Sequence, residues 1–179
     1  RNHSSAASDV YKRQDEASII FDLRRDIKNG HDLYGIAFDP GFADNAFVYL
    51  CYIIKGRDPN GTRVSRFKVA SRKSGLRIDP ASETILLTFQ NLGHNGGCLK
   101  FGNDHCLYIS TGDAAGPTPP DPERTGQDCS ELLSCVLRIN VHSKEDGKPY
   151  AIPKDNPFIG MENVRPEIWA YGFRNPWKM

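Results

Sequence analysis

The sequence has almost no excess charge of either sign. Its 179 residues contain 23 Lys and Arg against 22 Asp and Glu. Binding to a nucleic-acid backbone or to an anionic membrane surface relies on clustered positive charge. No apolar run approaches the roughly 20 residues that a membrane-spanning helix needs. We therefore expect neither a nucleic-acid nor a membrane partner.

The cysteine spacings of common metal and redox motifs are also missing. The five cysteines, an odd number, form no C-x-x-C and no C-x-x-C-H, which leaves out zinc ribbons and c-type haem attachment. Four of them lie in apolar or strand-like surroundings, where buried thiols are common: Cys51, Cys98, Cys106 and Cys135. Free buried thiols are the favoured prediction, with one or two disulfides as the alternative.

The beginning of the chain carries no structural pattern. Arg1 to Gln14 are polar, lack the apolar region of a signal peptide, and resemble translated adapter sequence. There is no initiator Met, and the chain stops at Met179, where we expect a new strand to begin. We interpret residues 1–14 as a non-native segment and residues 15–179 as one domain truncated at its C-terminus.

Glycine and proline, 16 and 12 residues, favour a loop-rich β architecture over a helix bundle. Short segments rich in β-branched and aromatic residues predict strands. A short helical turn is predicted near Asp128–Ser134. The predicted strands are Ala17–Leu23, Leu33–Phe38, Phe47–Ile54, Thr62–Val69, Thr84–Phe89, Gly97–Phe101, Cys106–Thr111 and Val136–Val141.

A strand–turn–strand arrangement recurs along the chain. The pattern of Gly35–Ile54 returns at Gly97–Thr111, with Phe38 and Phe101 in equivalent places. A third copy is predicted to open at Ile168–Phe173. Repeated groups of short strands indicate the blades of a β-propeller. We therefore predict an all-β chain of about two to three blades, with a β-sandwich as the alternative.

Two polar residues stand out because the predicted strands bring them together. His94 precedes an apolar strand within the string GHNGG, and imidazole is well suited to accept a proton near neutral pH. Asp113 ends the next strand, so a hairpin returns it towards His94, where a carboxylate orients an imidazole. The alternatives are an exposed loop histidine and an Asx turn at Asp113.

A third feature is the string YGFRNPW near the end of the chain. Arg174 offers a planar, permanently charged fork suited to carbonyl or carboxylate oxygens, and Asn175 offers both a donor and an acceptor. Packing of the flanking aromatic residues is the alternative. No four-ligand zinc set, nucleophile elbow or phosphate-binding loop accompanies these residues.

Several strings together resemble one family. LYGIAFDPGFADN, at Leu33–Asn45, resembles the family string LLGIAFDPDFADN. From about Leu33 to Met179 the chain is similar to the PQQ-dependent glucose/sorbosone dehydrogenases, the soluble quinoprotein sugar dehydrogenases. The other matching strings are Arg63–Phe67, Asp79–Glu83, His94–Gly97, Leu107–Asp113, Val136–Asn140, Ile152–Phe158 and Arg165–Trp177.

The resemblance implies a six-bladed β-propeller that carries pyrroloquinoline quinone (PQQ) on its axis and is activated by calcium. It makes His94 the general base and Asp113 the residue that orients it. It makes Arg174 and Asn175 cofactor-binding residues. The calcium ligands would lie beyond Met179, so no metal ligand is expected within this chain.

The implied activity is oxidation of a sugar or polyol hydroxyl, with electrons passed to an acceptor such as a cytochrome, in the periplasm or outside the cell. A non-catalytic binding propeller of the hedgehog-interacting type is the main alternative, and a calcium-dependent hydrolase or lactonase is a third. Gly93 stands where glucose-oxidising members carry Asp, and Ala114–Pro120 lacks their Gln, which argues against glucose specificity. The chain alone is expected to be inactive.

Overall fold

The computed structural model describes residues 18–56, 61–72, 75–116, 118–145 and 147–179. In these residues eight strands form two antiparallel sheets of four strands each. Two single-turn helices, α1 (Leu23–Asp26) and α2 (Phe42–Asn45), and a 3-10 turn at Thr125–Gln127 accompany them. The first sheet contains β1 (Gly30–Phe38), β2 (Phe47–Ile54), β3 (Thr62–Arg72) and β4 (Gly75–Phe89). The second contains β5 (Gly96–Phe101), β6 (Leu107–Thr111), β7 (Cys135–Ile139) and β8 (Ile168–Tyr171).

In each sheet the strand order follows the chain order. Such a four-stranded antiparallel meander is the unit of a β-propeller blade. The prediction of an all-β, partial propeller is confirmed, with two blades. Phe38 and Phe101 end the first strand of their respective blades, as the repeat predicted.

The larger hydrophobic core joins the two blades. It combines fully buried residues of both sheets, among them Tyr49, Val64, Leu107 and Leu137. A second core lies against α1 and includes Leu50 and Phe67. Burial of these apolar side chains supplies the main driving force for the arrangement.

The middle of β1 and the start of β5 approach each other very closely. A Cβ at Gly35 would overlap the carbonyl oxygen of Gly97, so this approach requires a glycine. The first blade therefore contacts the second where β5 follows the His94 loop.

Two predicted segments differ from the structure. The described part of the Ala17–Leu23 segment is not a strand, because the Asp22 carboxylate caps the N-terminus of α1 by accepting from the Arg24 amide at 3.0 Å. The segment from Ile168 does not open a third blade. It is β8, the fourth strand of the second sheet, paired with β7.

Residues 1–14, interpreted as non-native, lie outside the described residues. The predicted turn near Asp128–Ser134 is non-helical, and the 3-10 turn just precedes it. All five cysteines are free thiols, as favoured, and Cys51, Cys106 and Cys135 are buried, but Cys98, which was also predicted to be buried, is partly exposed. Burial raises the pKa of the Cys51 and Cys135 thiols to about 12.

Candidate active site

His94 and Asp113 meet where the first hairpin of the second blade ends. His94 lies in the loop before β5, and Asp113 lies two residues after β6. Because β5 and β6 are antiparallel, with Gly96 opposite Thr111, the two residues lie at the same end of the sheet. Nδ1 of His94 lies 2.7 Å from Oδ1 of Asp113.

The loop that carries His94 is held against the loop after β6 by backbone hydrogen bonds. The amides of Gly93 and His94 donate to the carbonyl oxygens of Ala114 and Ala115 at 2.9 and 3.0 Å. The amide of Ala114 donates back to the carbonyl oxygen of His94 at 3.1 Å. Ala114 has a φ of 53°, a left-handed conformation that is uncommon outside glycine. The position of His94 is therefore fixed by backbone as well as by its side chain.

Asp113 forms the Asx turn and also holds the imidazole. Its Oδ1 accepts from the Ala115 amide at 2.9 Å as well as facing His94. Its side chain is 1% exposed, and Oδ2 has no protein partner among the described residues. A carboxylate can only accept, so Nδ1 of His94 carries the proton and Nε2 is left with a free lone pair. This arrangement can accept a proton at Nε2 and stabilise the resulting positive ring.

Arg174 and Asn175 reach the same place from the other end of the second blade. After β8 the chain crosses back over the start of β5. The Asp113 amide donates to the carbonyl oxygen of Arg174 at 2.9 Å, and the Gly96 amide donates to Oδ1 of Asn175 at 3.2 Å. Three predicted site segments, separated by up to about 80 residues, are thus brought together.

Two further residues belong to this region. Nδ2 of Asn95 donates to the phenolic oxygen of Tyr34 at 3.2 Å, which links the His94 loop to the first blade. Sequence reasoning included Asn95 only within a string and did not single out Tyr34. The sequence signal was weak, because Tyr34 lies in a strand where alternation suggests packing.

Asp113 is one of the residues that line a cavity of about 390 Å³. The cavity is bounded by Gly93, Glu123 and Thr125 among others. No group of three or more His, Cys, Asp or Glu residues suited to hold a metal ion occurs in the described ranges. The groups shown in contact at the site are the His94 imidazole, the Asp113 carboxylate, the backbone carbonyl of Arg174 and the side-chain amide of Asn175.

A comparison with known protein families shows which family this chain belongs to. The family model for glucose/sorbosone dehydrogenase matches residues 18–179. The chain belongs to the glucose/sorbosone dehydrogenase family. The matched range includes every residue of the site described above.

Relatives in this family fall into two groups. HIPL2 protein of Arabidopsis thaliana and Hedgehog-interacting protein of Mus musculus are both 32% identical, over 82% and 84% of the chain. Quinoprotein glucose dehydrogenase B of Acinetobacter calcoaceticus is 28% identical over 87% of the chain. The chain spans 27%, 22% and 34% of these relatives, respectively.

Solved structures agree with the blade assignment. The apo form of the soluble aldose sugar dehydrogenase from Escherichia coli superimposes with a TM-score of 0.61 at 28% identity, over 83% of this chain and 39% of that one. The PQQ-bound aldose sugar dehydrogenase from Streptomyces coelicolor has the same fold, with a TM-score of 0.60 at 24% identity. The described segments contain no helix long and apolar enough to cross a membrane.

Proposed function

We propose that the complete protein carrying this chain oxidises a hydroxyl of a sugar or polyol with PQQ as cofactor. The observation that supports this most is the 2.7 Å contact between Nδ1 of His94 and Oδ1 of Asp113, with Arg174 and Asn175 folded against it. A carboxylate-oriented imidazole is a proton acceptor, and the family's sugar dehydrogenases oxidise hydroxyl groups.

The donor set at the site is compatible with PQQ, a planar quinone that bears carboxylates. The guanidinium of Arg174 is planar and always charged, and the residue is exposed, so its fork is available to anionic or carbonyl oxygens. The amide nitrogen of Asn175 is a second donor, since its Oδ1 is occupied by the Gly96 amide. These two residues would hold the cofactor, which when bound supplies a two-electron acceptor for the substrate's hydride.

His94 and Asp113 perform the protein's part of the reaction. The substrate hydroxyl lies against Nε2 of His94, which takes the hydroxyl proton as the carbon–oxygen bond becomes a carbonyl. Asp113 keeps Nδ1 protonated and compensates the positive charge that the ring acquires. The Asp113 side chain is 1% exposed, and stabilisation by a carboxylate is stronger where water is excluded.

Several finer expectations stay proposals. Calcium would be bound by residues outside the described set, electrons would leave to a separate acceptor such as a cytochrome, and the protein would work in the periplasm or outside the cell. These rest on the family relationship to sugar dehydrogenases.

A binding propeller without turnover is the second candidate, supported by the 32% identity to Hedgehog-interacting protein. One experiment separates the two functions. The complete protein is titrated with PQQ and calcium while the quinone absorbance is followed, and a sugar panel is then added with a redox dye. Saturable binding and sugar-dependent dye reduction are expected.

The decisive variant is His94→Asn, with His105→Asn as its matched control. His105 is an exposed turn residue with a φ of 60°, a conformation that Asn tolerates. Loss of dye reduction in the first variant and normal rates in the second support the proposal. A folded protein that binds no PQQ, or turnover that survives His94→Asn, contradicts it and favours the binding propeller.

A further inference from the structure

Tyr34 is the extra residue of a β-bulge in β1. Its neighbours Leu33 and Gly35 pair with the consecutive residues Tyr52 and Cys51 of β2, so Tyr34 has no residue opposite it. A bulge re-aims a side chain out of the regular alternation, and bulges are over-represented next to active sites. The bulge therefore changes the direction of one side chain, that of Tyr34.

The bulge aims Tyr34 at the loop that holds the base. A Cβ at Gly97 would lie 2.5 Å from Cβ of Tyr34, so only glycine allows the tyrosine to pass there. The β5–β6 ladder is itself irregular at this level, between its Gly96 and Leu99 pairs. Beyond Gly97, the Tyr34 hydroxyl reaches Asn95, the residue that follows His94.

The Tyr34 hydroxyl is a hydrogen-bond donor held in a fixed place. Its oxygen accepts from Nδ2 of Asn95 at 3.2 Å, so its own O–H proton points elsewhere. Asn95 is 6% exposed, and its Oδ1 faces the Thr62 hydroxyl at 3.4 Å, which orients the amide. Within the described residues the O–H of Tyr34 has no recorded acceptor, and Tyr34 is 43% exposed.

We propose that Tyr34 is a specificity-determining residue that donates a hydrogen bond to a second hydroxyl oxygen of the sugar or polyol substrate. The inference rests on the proposed function, because it requires the substrate to lie against Nε2 of His94. Tyr34 belongs to the first blade and His94 to the loop that opens the second, and in the proposed arrangement they would contact different hydroxyls of one ligand. A site that hydrogen-bonds a substrate hydroxyl discriminates strongly against an analogue that lacks it.

The test compares Tyr34→Phe with wild type in the complete protein, loaded with PQQ and calcium. The variant keeps the aromatic ring, which is half-exposed, and removes only the hydroxyl. We expect KM for the preferred substrate to rise about 3- to 10-fold, the range of one net hydrogen bond, with kcat and the Kd for PQQ within twofold. With the deoxy analogue that lacks the contacted hydroxyl, wild type and variant should have the same KM.

Tyr108→Phe is the matched control, since the Tyr108 hydroxyl bonds Asp104 in the turn between β5 and β6, at the opposite end of these strands from the His94 loop. Its KM values should equal those of wild type. An unchanged KM in Tyr34→Phe for every substrate overturns the assignment. So does a variant whose only defect is weaker PQQ binding or a lower melting temperature.

Failure of the proposed function is a separate result. In that case wild type reduces no dye, and the same sugars are offered to wild type and Tyr34→Phe in equilibrium calorimetry. Sugar binding that weakens in the variant keeps the assignment of Tyr34 without oxidation. Sugar binding that is absent from wild type, or equal in both proteins, overturns it.

Discussion

Gly93 lies so close to Ala115 that a Cβ at residue 93 would overlap the Ala115 carbonyl oxygen. That oxygen accepts the hydrogen bond from the His94 amide. A side chain at residue 93 would therefore meet the backbone of the neighbouring loop, and its absence lets the two loops close. The space beside His94 is occupied by backbone.

The first prediction concerns that contact. Gly93→Asp should force the two loops apart, move His94 and lower kcat/KM about 100-fold, because small displacements of a catalytic group cost that much. Steady-state dye reduction measures the effect. Gly116→Ala is the control, since a Cβ there meets nothing within 4 Å. A Gly93→Asp enzyme with wild-type kcat/KM would show that the loop closure does not position the base.

The second prediction concerns the charge on Asp113. Asp113→Asn keeps the shape of the side chain but removes the charge that fixes the Nδ1 proton of His94 and compensates the protonated ring. We expect kcat to fall by about 10²- to 10⁴-fold, as in other carboxylate–imidazole pairs. Asp128→Asn, at an exposed turn carboxylate, should leave kcat unchanged. Equal kcat values in the two variants would remove Asp113 from the mechanism.

The third prediction concerns Glu167, which is fully buried. Burial alone would raise the pKa of this carboxyl, but hydrogen bonds from Arg165, Tyr150 and Lys148 hold it down to about 2, against an ordinary value of 4.5. A depressed pKa stabilises the folded state above the unfolded-state pKa. That contribution, about 3 kcal/mol at most, is lost as the pH falls from about 4.5 to 2.

Urea unfolding at a series of pH values measures this loss. Glu167→Gln should be less stable than wild type at neutral pH, and its stability should vary less between pH 4.5 and 2. Glu131→Gln, at an exposed position, should reproduce the wild-type profile. If the stability of Glu167→Gln depends on acid pH as strongly as that of wild type, the Glu167 carboxylate is not the origin of this dependence.

The fourth prediction concerns the thiols. Burial raises the pKa of Cys51 and Cys135 to about 12, so they carry almost no thiolate at pH 8 and should resist iodoacetamide in the native protein. Cys98 and Cys129, which are partly exposed, should be labelled before the three buried thiols. Peptide mass spectrometry after native labelling shows the order, and labelling in denaturant without reductant should modify all five cysteines. A disulfide-linked peptide would contradict the free-thiol assignment.

Local pattern was sufficient for much of the fold. The β-branched and aromatic content of Phe47–Ile54 predicted β2 with its bounds, and the equivalence of Phe38 and Phe101 predicted blades of the same kind. The proximity of His94 and Asp113 also followed from sequence, because a hairpin places residues that flank its two strands at one end. These features depend on residues that are near in the chain.

Features that depend on residues distant in the chain were not predicted from the sequence. The Ile168 segment was assigned to a new blade, since its composition suits any strand and only its pairing with β7 decides where it belongs. Glu83 gave no sign of a partner in sequence, yet it accepts from Ser65 and Tyr52 across two neighbouring strands. The register of strand pairing decides which residues of a sheet become hydrogen-bond partners, and the composition of one segment does not predict that register.

The sequence by itself determined the strands, the repeat and the residue types suited to proton transfer, because propensity and alternation act over a few residues. Only the tertiary structure decided that Arg174 and Asn175 close over Asp113 and Gly96, and that the bulge at Tyr34 turns a strand residue towards Asn95. Those contacts join segments about 60 to 80 residues apart. They exist because the pairing of β5 to β8 in the second sheet and burial of the core between the blades, not local preference, bring those segments together.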